Sequence, residues 1–334
     1  MAPSLQPDTP NTQTFYCFDP TTDPPQWRPA SSCTAHDTTD RLHLISWNID
    51  FHAPAPRERM SAALQHLNKR LSDHGQQNDS PTVIFFQEMV ESDLGLIQQA
   101  PWIRDRFYIT DLFRTHWRAS YGTLTLVDRR LHIQRVFRVP YGLSRMQRDG
   151  LFVDINMQNP HATGGNPVIR LCNTHLESLA SGISSRTVQL KLASEFMHGT
   201  GRYSTSGLPT PHAAILAGDL NAFAPEDAIA PNECGLNDAF LALGGTEETE
   251  EAYTWGKQNP VGMDGKFPDA RMDKVLFCGS VEVLAFAKIG EGLKARVDCS
   301  MDDDTSDDEA EDAYDDVWVT DHLGLDAEFR ILDL

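Results

Sequence analysis

Six apolar runs in the chain end in polar residues of the kinds that catalyse reactions. Each run is short and apolar enough for a strand buried on both faces, so its polar end would emerge at the edge of a sheet. If these strands are neighbours, their ends converge on one cleft. The runs are 44–49, 83–88, 169–175, 214–221, 271–277 and 319–322. Their polar residues are Asn48, Glu88, His175, Asp219, Asn221, Asp273, Asp321 and His322.

This set of residues combines carboxylate and amide oxygens with two imidazoles. Mg²⁺ prefers oxygen ligands at about 2.0–2.1 Å, keeps several of its waters and is usually held by one or two carboxylates. The imidazoles could hydrogen-bond to phosphoryl oxygens or protonate them, and an amide such as Asn221 could orient a water without adding charge. The residues therefore suit magnesium-assisted phosphodiester chemistry.

Short motifs surround these residues and follow one another in a fixed order. They are Trp47-Asn48-Ile49-Asp50 with Arg57-Glu58-Arg59, Phe86-Gln87-Glu88, Arg145-Met146-Gln147-Arg148, Thr174-His175-Leu176-Glu177-Ser178, Gly218-Asp219-Leu220-Asn221, Tyr253-Thr254-Trp255 and Asp321-His322-Leu323-Gly324-Leu325. In this order the chain resembles the endonuclease/exonuclease/phosphatase superfamily and, within it, the tyrosyl-DNA phosphodiesterase 2 type. The resemblance spans roughly residues 41–334.

The resemblance implies a metal site and a histidine dyad. Glu88 would be the principal ligand of Mg²⁺, for which Mn²⁺ could substitute, and Asn48 and Asp321 would help to hold the ion. Asp273 would fix the tautomer of His322 and favour its charged form. His322 would then contact the scissile phosphate and stabilise the charge of the transition state. Whether one or two metal ions bind stays open.

The resemblance also implies roles around the attacking water and the substrate. Asp219 would position that water or, in an alternative account, protonate the leaving oxygen. Asn221 would orient the same water, and His175 would bind the phosphate from the other side. The candidates for substrate contact are Arg148, Tyr121, Trp255 and Ser178.

Strand and helix patterns alternate along the chain. Strands are expected at 121–127, 131–139, 151–155 and 168–173, and helices after Pro56 and over 187–197, with a polar break at 73–81. This pattern does not distinguish an open sheet from two packed sheets. The resemblance implies an α/β fold, a four-layer α/β sandwich of two packed mixed sheets flanked by helices.

The chain is expected to form one catalytic domain over residues 41–334, preceded by an arm over residues 1–40. Residues 1–14 are polar and are predicted to be disordered, whereas the aromatic residues of 15–18 and Trp27 should dock the rest of the arm on the domain. A site assembled from both ends of the chain favours one domain.

The formal net charge of -20 excludes a protein that coats nucleic acid through a basic surface. Ten acidic residues and no basic one lie between Met301 and Asp316, which predicts a flexible acidic insert at about 300–316. A local phosphate-binding groove stays compatible with the clustered arginines Arg129, Arg130, Arg135, Arg138, Arg145 and Arg148.

The six cysteines lack the spacing of a metal site or the density of a disulfide scaffold, and the chain begins without the pattern of a signal peptide. No apolar run is long enough to span a bilayer. The expectation is therefore a soluble monomer inside the cell, in the nucleus or cytoplasm, that does not engage membranes.

By resemblance, the activity would be Mg²⁺-dependent hydrolysis of 5′-phosphotyrosyl-DNA bonds. This reaction removes topoisomerase 2 adducts during DNA repair, and the partner would be single-stranded or 5′-end DNA that carries a tyrosyl adduct. One alternative is another phosphodiesterase of the superfamily: an RNA 3′-exonuclease, an abasic endonuclease or a phospholipid head-group phosphodiesterase. The other is a catalytically silent scaffold.

Overall fold

Two mixed β-sheets pack face to face, and helices cover the outer face of each sheet, which confirms the four-layer α/β sandwich. The computed structural model describes residues 6–30, 39–77, 80–156, 167–200, 207–258, 267–298 and 314–334. We call the two sheets sheet I and sheet II. Their facing sides form the central core, and their far sides each hold a separate helical layer.

Sheet I contains a parallel pair of strands in its middle, and the chain leaves both strands at the same edge. In their spatial order, its described strands are β14 (Val281–Ile289), β17 (Gly324–Ile331), β4 (Arg41–Asn48), β5 (Thr82–Met89), β7 (Gly122–Asp128), β6 (Phe107–Ile109), β2 (Phe15–Asp19) and β3 (Gln26–Ala30). The parallel pair is β4 and β5, which places Asn48 beside Gln87.

Sheet II is built in the same way around the parallel pair β10 and β11. In their spatial order, its described strands are β1 (Asn11–Gln13), β8 (His132–Pro140), β9 (Asp149–Asn156), β10 (Val168–His175), β11 (Ala213–Asp219), β13 (Asp273–Gly279) and β12 (Asn237–Asp238). The polar ends of β10 and β11 are adjacent, because His175 is the register partner of Asp219.

Helices form the two outer layers. They are α1 (Pro56–Gln77), α2 (Glu91–Gln99), α3 (Pro101–Arg106), α4 (Ile183–His198), α5 (Pro225–Glu233) and α6 (Ala239–Ala242), with short 3₁₀ turns at Arg114–His116 and Ala180–Gly182. The predicted polar break at 73–81 is wrong over 73–77, where α1 continues without a proline to stop it; residues 78–79 lie outside the described ones. No helix in the described part of the chain is long and apolar enough to cross a bilayer.

Side chains on successive residues of a strand point to opposite faces of the sheet, so each sheet packs against two layers. Leu44 and Phe85 point into the central core against sheet II, whereas their chain neighbours Ile45 and Ile84 point outward against α1 and α2. Side chains on a strand face opposite sides in turn, so strands that are apolar throughout must be covered on both faces. This double coverage leaves only the strand ends for polar chemistry.

The N-terminal arm is more ordered than the sequence suggested. β1 pairs antiparallel with β8 in sheet II, and β2 pairs with β6 in sheet I, so the arm joins an edge of each sheet. The docking expected for residues 15–18 is therefore confirmed. The prediction of disorder is wrong for residues 6–14, whose backbone pairing outweighs their polar composition; residues 1–5 lie outside the described ones.

A two-stranded hairpin, β15 (Lys294–Asp298) and β16 (Tyr314–Trp318), lies against α1. The acidic insert predicted at about 300–316 falls mainly on residues 299–313, which lie outside the described ones. Its last residues, 314–316, belong to β16 and are not a loop, because they pair with β15. Residues 319–322 were expected to end a strand, but they form a loop between β16 and β17.

Arg138 is buried in the fold and does not line a phosphate-binding groove. It was among the arginines considered for a phosphate groove, yet it is 1% exposed. Its guanidinium contacts Asp111 at 2.9 Å and Asp149 at 3.0 Å, and its Nε donates to Gln13 of β1 at 3.0 Å. Arg138 therefore holds the arm to the sandwich and is unavailable to substrate.

Replacing Arg138 should destabilise the fold strongly. Arg138→Met leaves Asp111 and Asp149 buried without their cation, so the free energy of unfolding should fall by about 3–5 kcal/mol. Urea denaturation followed by circular dichroism measures this loss. Arg330→Met, which removes the half-exposed pair with Glu282, is the control and should cost less than about 1 kcal/mol. Equal losses in the two variants would contradict the structural role of Arg138.

Candidate active site

The polar strand ends meet at one edge of the sandwich. His175, Asp219 and Asp273 lie side by side on β10, β11 and β13, since Asp219 is the register partner of both neighbours. Asn48 at the end of β4 faces this row from sheet I, and its Nδ2 donates to Asp219 Oδ2 at 3.0 Å. The predicted convergence of the strand ends is therefore present, although Asp273 begins its strand because β13 is antiparallel to β11.

Gly218 allows β11 to approach β10 closely enough to align this row. Its φ is +150°, and a Cβ atom built there would lie 1.8 Å from the carbonyl oxygen of Thr174. Any other residue would push the two strands apart. The glycine thus fixes the separation of His175 and Asp219.

Glu88 emerges from β5 at a bulge. The pairing of β5 with β7 shifts between Phe86 and Met89, and Glu88 has a left-handed φ of +57°. Such a conformation costs a non-glycine residue about 1–3 kcal/mol and is concentrated at functional sites. The bulge turns the carboxylate into the cleft, where Oε1 lies 3.6 Å from His175 Nε2.

A hydrogen-bonded seam of buried amides joins the two sheets behind these groups. Gln87 Nε2 donates to Asn173 Oδ1 at 2.8 Å, and Asn173 Nδ2 donates to the carbonyl oxygen of Leu124 at 2.9 Å. Both side chains are fully buried. Because buried polar groups are costly unless paired, these bonds define one relative position of the sheets.

The imidazole of His175 is held neutral. Arg148 Nη1 lies 2.7 Å from His175 Nδ1, and because a guanidinium can only donate, Nδ1 must be the acceptor. The proton is then on Nε2, which faces Asp219 Oδ2 at 3.3 Å. Burial and the charge of Arg148 lower the pKa of His175 to about 4, so this histidine offers a neutral N–H donor.

His322 is in the opposite state. Its Nδ1 contacts Asp273 Oδ2 at 2.8 Å, and its Nε2 lies 3.7 Å from Asp219 Oδ2 and 3.8 Å from Asp321 Oδ1. Burial alone would lower the pKa of His322, but Asp273, Asp321 and Asp219 together raise it well above its ordinary value. The site therefore contains one neutral and one charged imidazole, a division that fits two different roles.

Asp219 lies between the two imidazoles and stays ionised. Burial opposes its charge, but His322 and His175 outweigh burial and lower the pKa of Asp219. Its Oδ1 accepts the backbone N–H of Asn221 at 2.8 Å. Asn221, itself at a left-handed φ of +50°, donates Nδ2 to the carbonyl oxygen of Leu176 at 3.2 Å. Asp219 is thus a fixed hydrogen-bond acceptor.

The environment of Glu88 fits a divalent cation. Burial and repulsion from Asp219 raise the pKa of Glu88 to about 7, so the site disfavours two carboxylates without a compensating positive charge. Carboxylate oxygens of Glu88 and Asp219 lie within 4.8 Å of each other, whereas both ring nitrogens of neighbouring His175 are engaged by other partners. Carboxylate oxygens are the donors that Mg²⁺ prefers. A bound cation would relieve the repulsion that the pKa reports.

The other two residues expected near the metal are held by different partners. Asn48 Oδ1 accepts the backbone N–H of Asp50 at 2.9 Å, while its Nδ2 donates to Asp219 Oδ2. Asp321 Oδ2 accepts the indole N–H of Trp255 at 2.7 Å, and its Oδ1 faces His322. Trp255, expected to contact substrate, is thus tied to Asp321 through its indole N–H.

The remaining substrate candidates line the cleft. Arg148 is only 6% exposed and contacts His175, so it lies beside the catalytic groups. The sequence had suggested a contact with bound DNA farther from the scissile phosphate. Tyr121 lies beneath the guanidinium of Arg148, whose Cζ is 5.2 Å from the centre of the ring. Ser178 is half-buried in the loop that follows His175.

Asp50 and Arg59 lie within two of the sequence motifs, and their part in building the site is visible only in the structure. Arg59 is 1% exposed, and its guanidinium donates to the carbonyl oxygens of Ile49, Asp50 and Val319 at 2.7, 2.7 and 2.6 Å. It therefore ties the loop after Asn48 to the loop that carries Asp321 and His322. Arg59 belongs to the motif Arg57-Glu58-Arg59, but the carbonyl oxygens that accept its hydrogen bonds can be identified only from the fold.

A model of the Endonuclease/Exonuclease/phosphatase family matches residues 45–322 of the chain. The sequence is 24% identical over 265 residues to a 5′-tyrosyl-DNA phosphodiesterase from Caenorhabditis elegans. This match covers 78% of the chain and 64% of the length of that relative.

Solved structures share the fold. The chain resembles humanized D. rerio TDP2 carrying 14 mutations, with a TM-score of 0.61, 19% identity and coverage of 87% of this chain and 100% of the other. It also resembles D. rerio TDP2 complexed with a single-strand DNA product, with a TM-score of 0.58, 18% identity and coverage of 87% and 99%. At these identities the likeness concerns the fold.

Glu88→Gln should abolish most turnover without unfolding the protein. The substitution keeps the size of the side chain but removes the charge that would balance a divalent cation, so hydrolysis of a chromogenic phosphodiester in Mg²⁺ should fall by at least about 10²–10³-fold. Glu91→Gln, at a glutamate that is 70% exposed, is the matched control and should keep its activity. Turnover by Glu88→Gln at the wild-type rate would rule out its role as a metal ligand.

Asp273→Asn should impair the charged imidazole specifically. An amide cannot stabilise protonated His322 as the carboxylate does, so kcat should fall by about 10²–10⁴-fold. Because the pair is buried, stability should fall as well, so kcat is measured at a temperature at which circular dichroism shows the variant to be folded. The control is Asp105→Asn, at an exposed position of α3. An unchanged kcat in Asp273→Asn would mean that the dyad plays no part in the reaction.

Proposed function

Because the chain belongs to the Endonuclease/Exonuclease/phosphatase family, we propose that it is a Mg²⁺-dependent phosphodiesterase that hydrolyses 5′-phosphotyrosyl bonds in DNA. The observation that carries this proposal is the buried cluster in which Glu88, His175, Asp219 and His322 converge. The activity named for the Caenorhabditis elegans relative supports the choice of bond. The proposed task is the removal of topoisomerase-derived tyrosyl adducts during DNA repair.

Glu88 would be the principal metal ligand, with Asn48 and Asp321 as neighbouring oxygen donors. The bulge that strains Glu88 supports this role, because it directs one carboxylate out of an otherwise regular strand. When bound, Mg²⁺ would neutralise charge on the phosphate and on the leaving oxygen. Mn²⁺, which also accepts oxygen ligands, could replace it.

Asp219 would orient and polarise the attacking water. Its lowered pKa keeps it ionised, and an ionised carboxylate can accept a hydrogen bond from water but has no proton to give to a leaving group. This favours the water-positioning account over the general-acid account in the ground state. Asn221, held beside Asp219 by its backbone N–H, would contribute the second hydrogen bond to the same water.

The two imidazoles would bind the phosphate as different donors. Neutral His175 presents Nε2–H, and Arg148 behind it adds positive charge to the same side. His322, kept charged by Asp273, presents Nε2–H from the loop between β16 and β17. Donors fixed in place before the reaction stabilise the developing negative charge without reorganising, which is the largest source of catalysis in many hydrolases.

The partner would be single-stranded DNA at a 5′ end. Arg148 and Tyr121 line the cleft next to His175, and cations next to aromatic rings are the usual means of holding a single strand. The proposal of a single-stranded partner is supported by the solved D. rerio TDP2, a protein of the same fold that is complexed with a single-strand DNA product. Substrate binding would thus depend on a local cleft, in agreement with the acidic overall charge.

A side-by-side assay tests the proposed function. With Mg²⁺, the protein should release tyrosine from 5′-phosphotyrosyl single-stranded DNA at least about tenfold faster than it acts on 3′-phosphotyrosyl DNA, abasic duplex or poly(A). The Glu88→Gln variant, run in parallel, shows which activity belongs to this site. Faster cleavage of abasic duplex or poly(A) would favour another phosphodiesterase of the family, and inactivity on every substrate would favour a silent scaffold.

A further inference from the structure

A stack of three aromatic rings and one guanidinium runs outward from His175. Arg148 lies over Tyr121, and the ring of Phe51 stacks on Tyr121 with centres 3.9 Å apart and planes 17° apart. The ring of His52 has its centre 3.8 Å from that of Phe51 and is tilted by 36° to it. We call Arg148, Tyr121, Phe51 and His52 the outer stack. It begins at the reacting centre and ends at the exposed side chain of His52.

The order of the outer stack decides which ring can receive a ligand. Phe51 is in parallel contact with Tyr121 and occupies one face of it, which leaves the other face to the guanidinium of Arg148. The ring of Phe51 in turn lies between Tyr121 and His52. His52 is therefore the outermost ring, so Tyr121, the stacking candidate suggested by the sequence, acts as an internal layer.

The end of the outer stack is held rigidly to the catalytic groups. Asp50, in a left-handed conformation with φ +55°, accepts the backbone N–H of His52 through Oδ1 at 2.9 Å. The backbone N–H of Phe51 donates to Glu88 Oε2 at 3.1 Å, and Arg59 holds the carbonyl oxygen of Asp50 at 2.7 Å. With the backbone fixed in this way, only the side-chain torsions of the outermost ring remain to be ordered when a flat ligand stacks on it.

Arginines lie near the inner end of the outer stack, opposite the carboxylates of Glu88 and Asp50 that hold its backbone. Arg118 lines the same pocket as Tyr121 and Arg148, and Arg145 is exposed on the loop that leads to Arg148. A flat ring with cations beside it matches a nucleobase followed by phosphates, since stacking and charge contribute together to single-strand binding. An uncharged apolar partner would gain nothing from these arginines.

Resting on the proposed function, we propose that His52, supported by Phe51, is the platform on which a nucleobase near the 5′ end of the substrate strand stacks. The phosphate at the reacting centre and the base on His52 would then bind at opposite ends of the outer stack. This assigns the site a preference for strands whose bases are unpaired, because a base within a duplex has no free face to present.

The test measures binding of a short 5′-phosphorylated strand to the full chain with Mg²⁺, by fluorescence anisotropy. The strand is used intact and in versions that carry an abasic residue at the first, second or third nucleotide. His52→Ala should weaken binding of the intact strand about tenfold, or about 1.4 kcal/mol. For the one strand in which the abasic residue replaces the stacked nucleotide, His52→Ala and the wild-type protein should bind equally well. His52→Phe should restore tight binding.

Phe223→Ala is the matched control, because Phe223 is an aromatic residue, 41% exposed, that follows β11 and packs on Arg186. It should show no loss that depends on a base. Equal weakening of all strands by His52→Ala, no weakening at all, or a base-dependent loss in Phe223→Ala would each overturn the platform. A wild-type protein that fails to release tyrosine from 5′-phosphotyrosyl DNA would overturn the proposed function instead.

Discussion

The hydrogen bonds across the buried seam between the sheets are the constraint on which the site depends. Gln87 with Asn173, and Asn48 with Asp219, join strands that belong to different sheets. Apolar packing alone would tolerate a sliding of one sheet over the other, since it is not directional. Buried amides do not tolerate such sliding, because each shift would leave donors without acceptors in a region that water does not reach.

The fixed relative position of the two sheets holds several carboxylates close together in spite of their mutual repulsion. Asp219, Asp273, Asp321 and Glu88 approach one another within a largely buried space, and the same edge contains one charged and one neutral imidazole. The charged His322 compensates for part of the negative charge. Burial and the remaining repulsion from Asp219 raise the pKa of Glu88. A divalent cation bound beside Glu88 would offset this negative charge and favour the entry of an anionic phosphate, in which case the two binding events would be coupled.

The positions of the candidate site residues at strand ends could be predicted because their signal is local. Glu88, His175 and Asp219 each follow an apolar run directly, and such a run predicts both a buried strand and the place where it emerges. The bulge at Glu88 and the contact between Arg148 and His175 could not be predicted, since both depend on pairing with distant strands. The same holds for β1, whose short polar sequence is indistinguishable from a loop until β8 lies beside it.

The place of β17 in sheet I constrains how the protein can be synthesised. This strand lies between β14 and β4, and the side chains of Asp326 and His43 contact each other across 283 residues of sequence. While the ribosome is still translating the segment before β17, one edge of β4 has no partner, and unpaired strand edges favour aggregation. The open edge of β4 is therefore closed only when the last strand of the chain has been made. A fragment that ends before Asp321 would lack β17, Asp321 and His322, and so would lose both the partner of β4 and part of the candidate site.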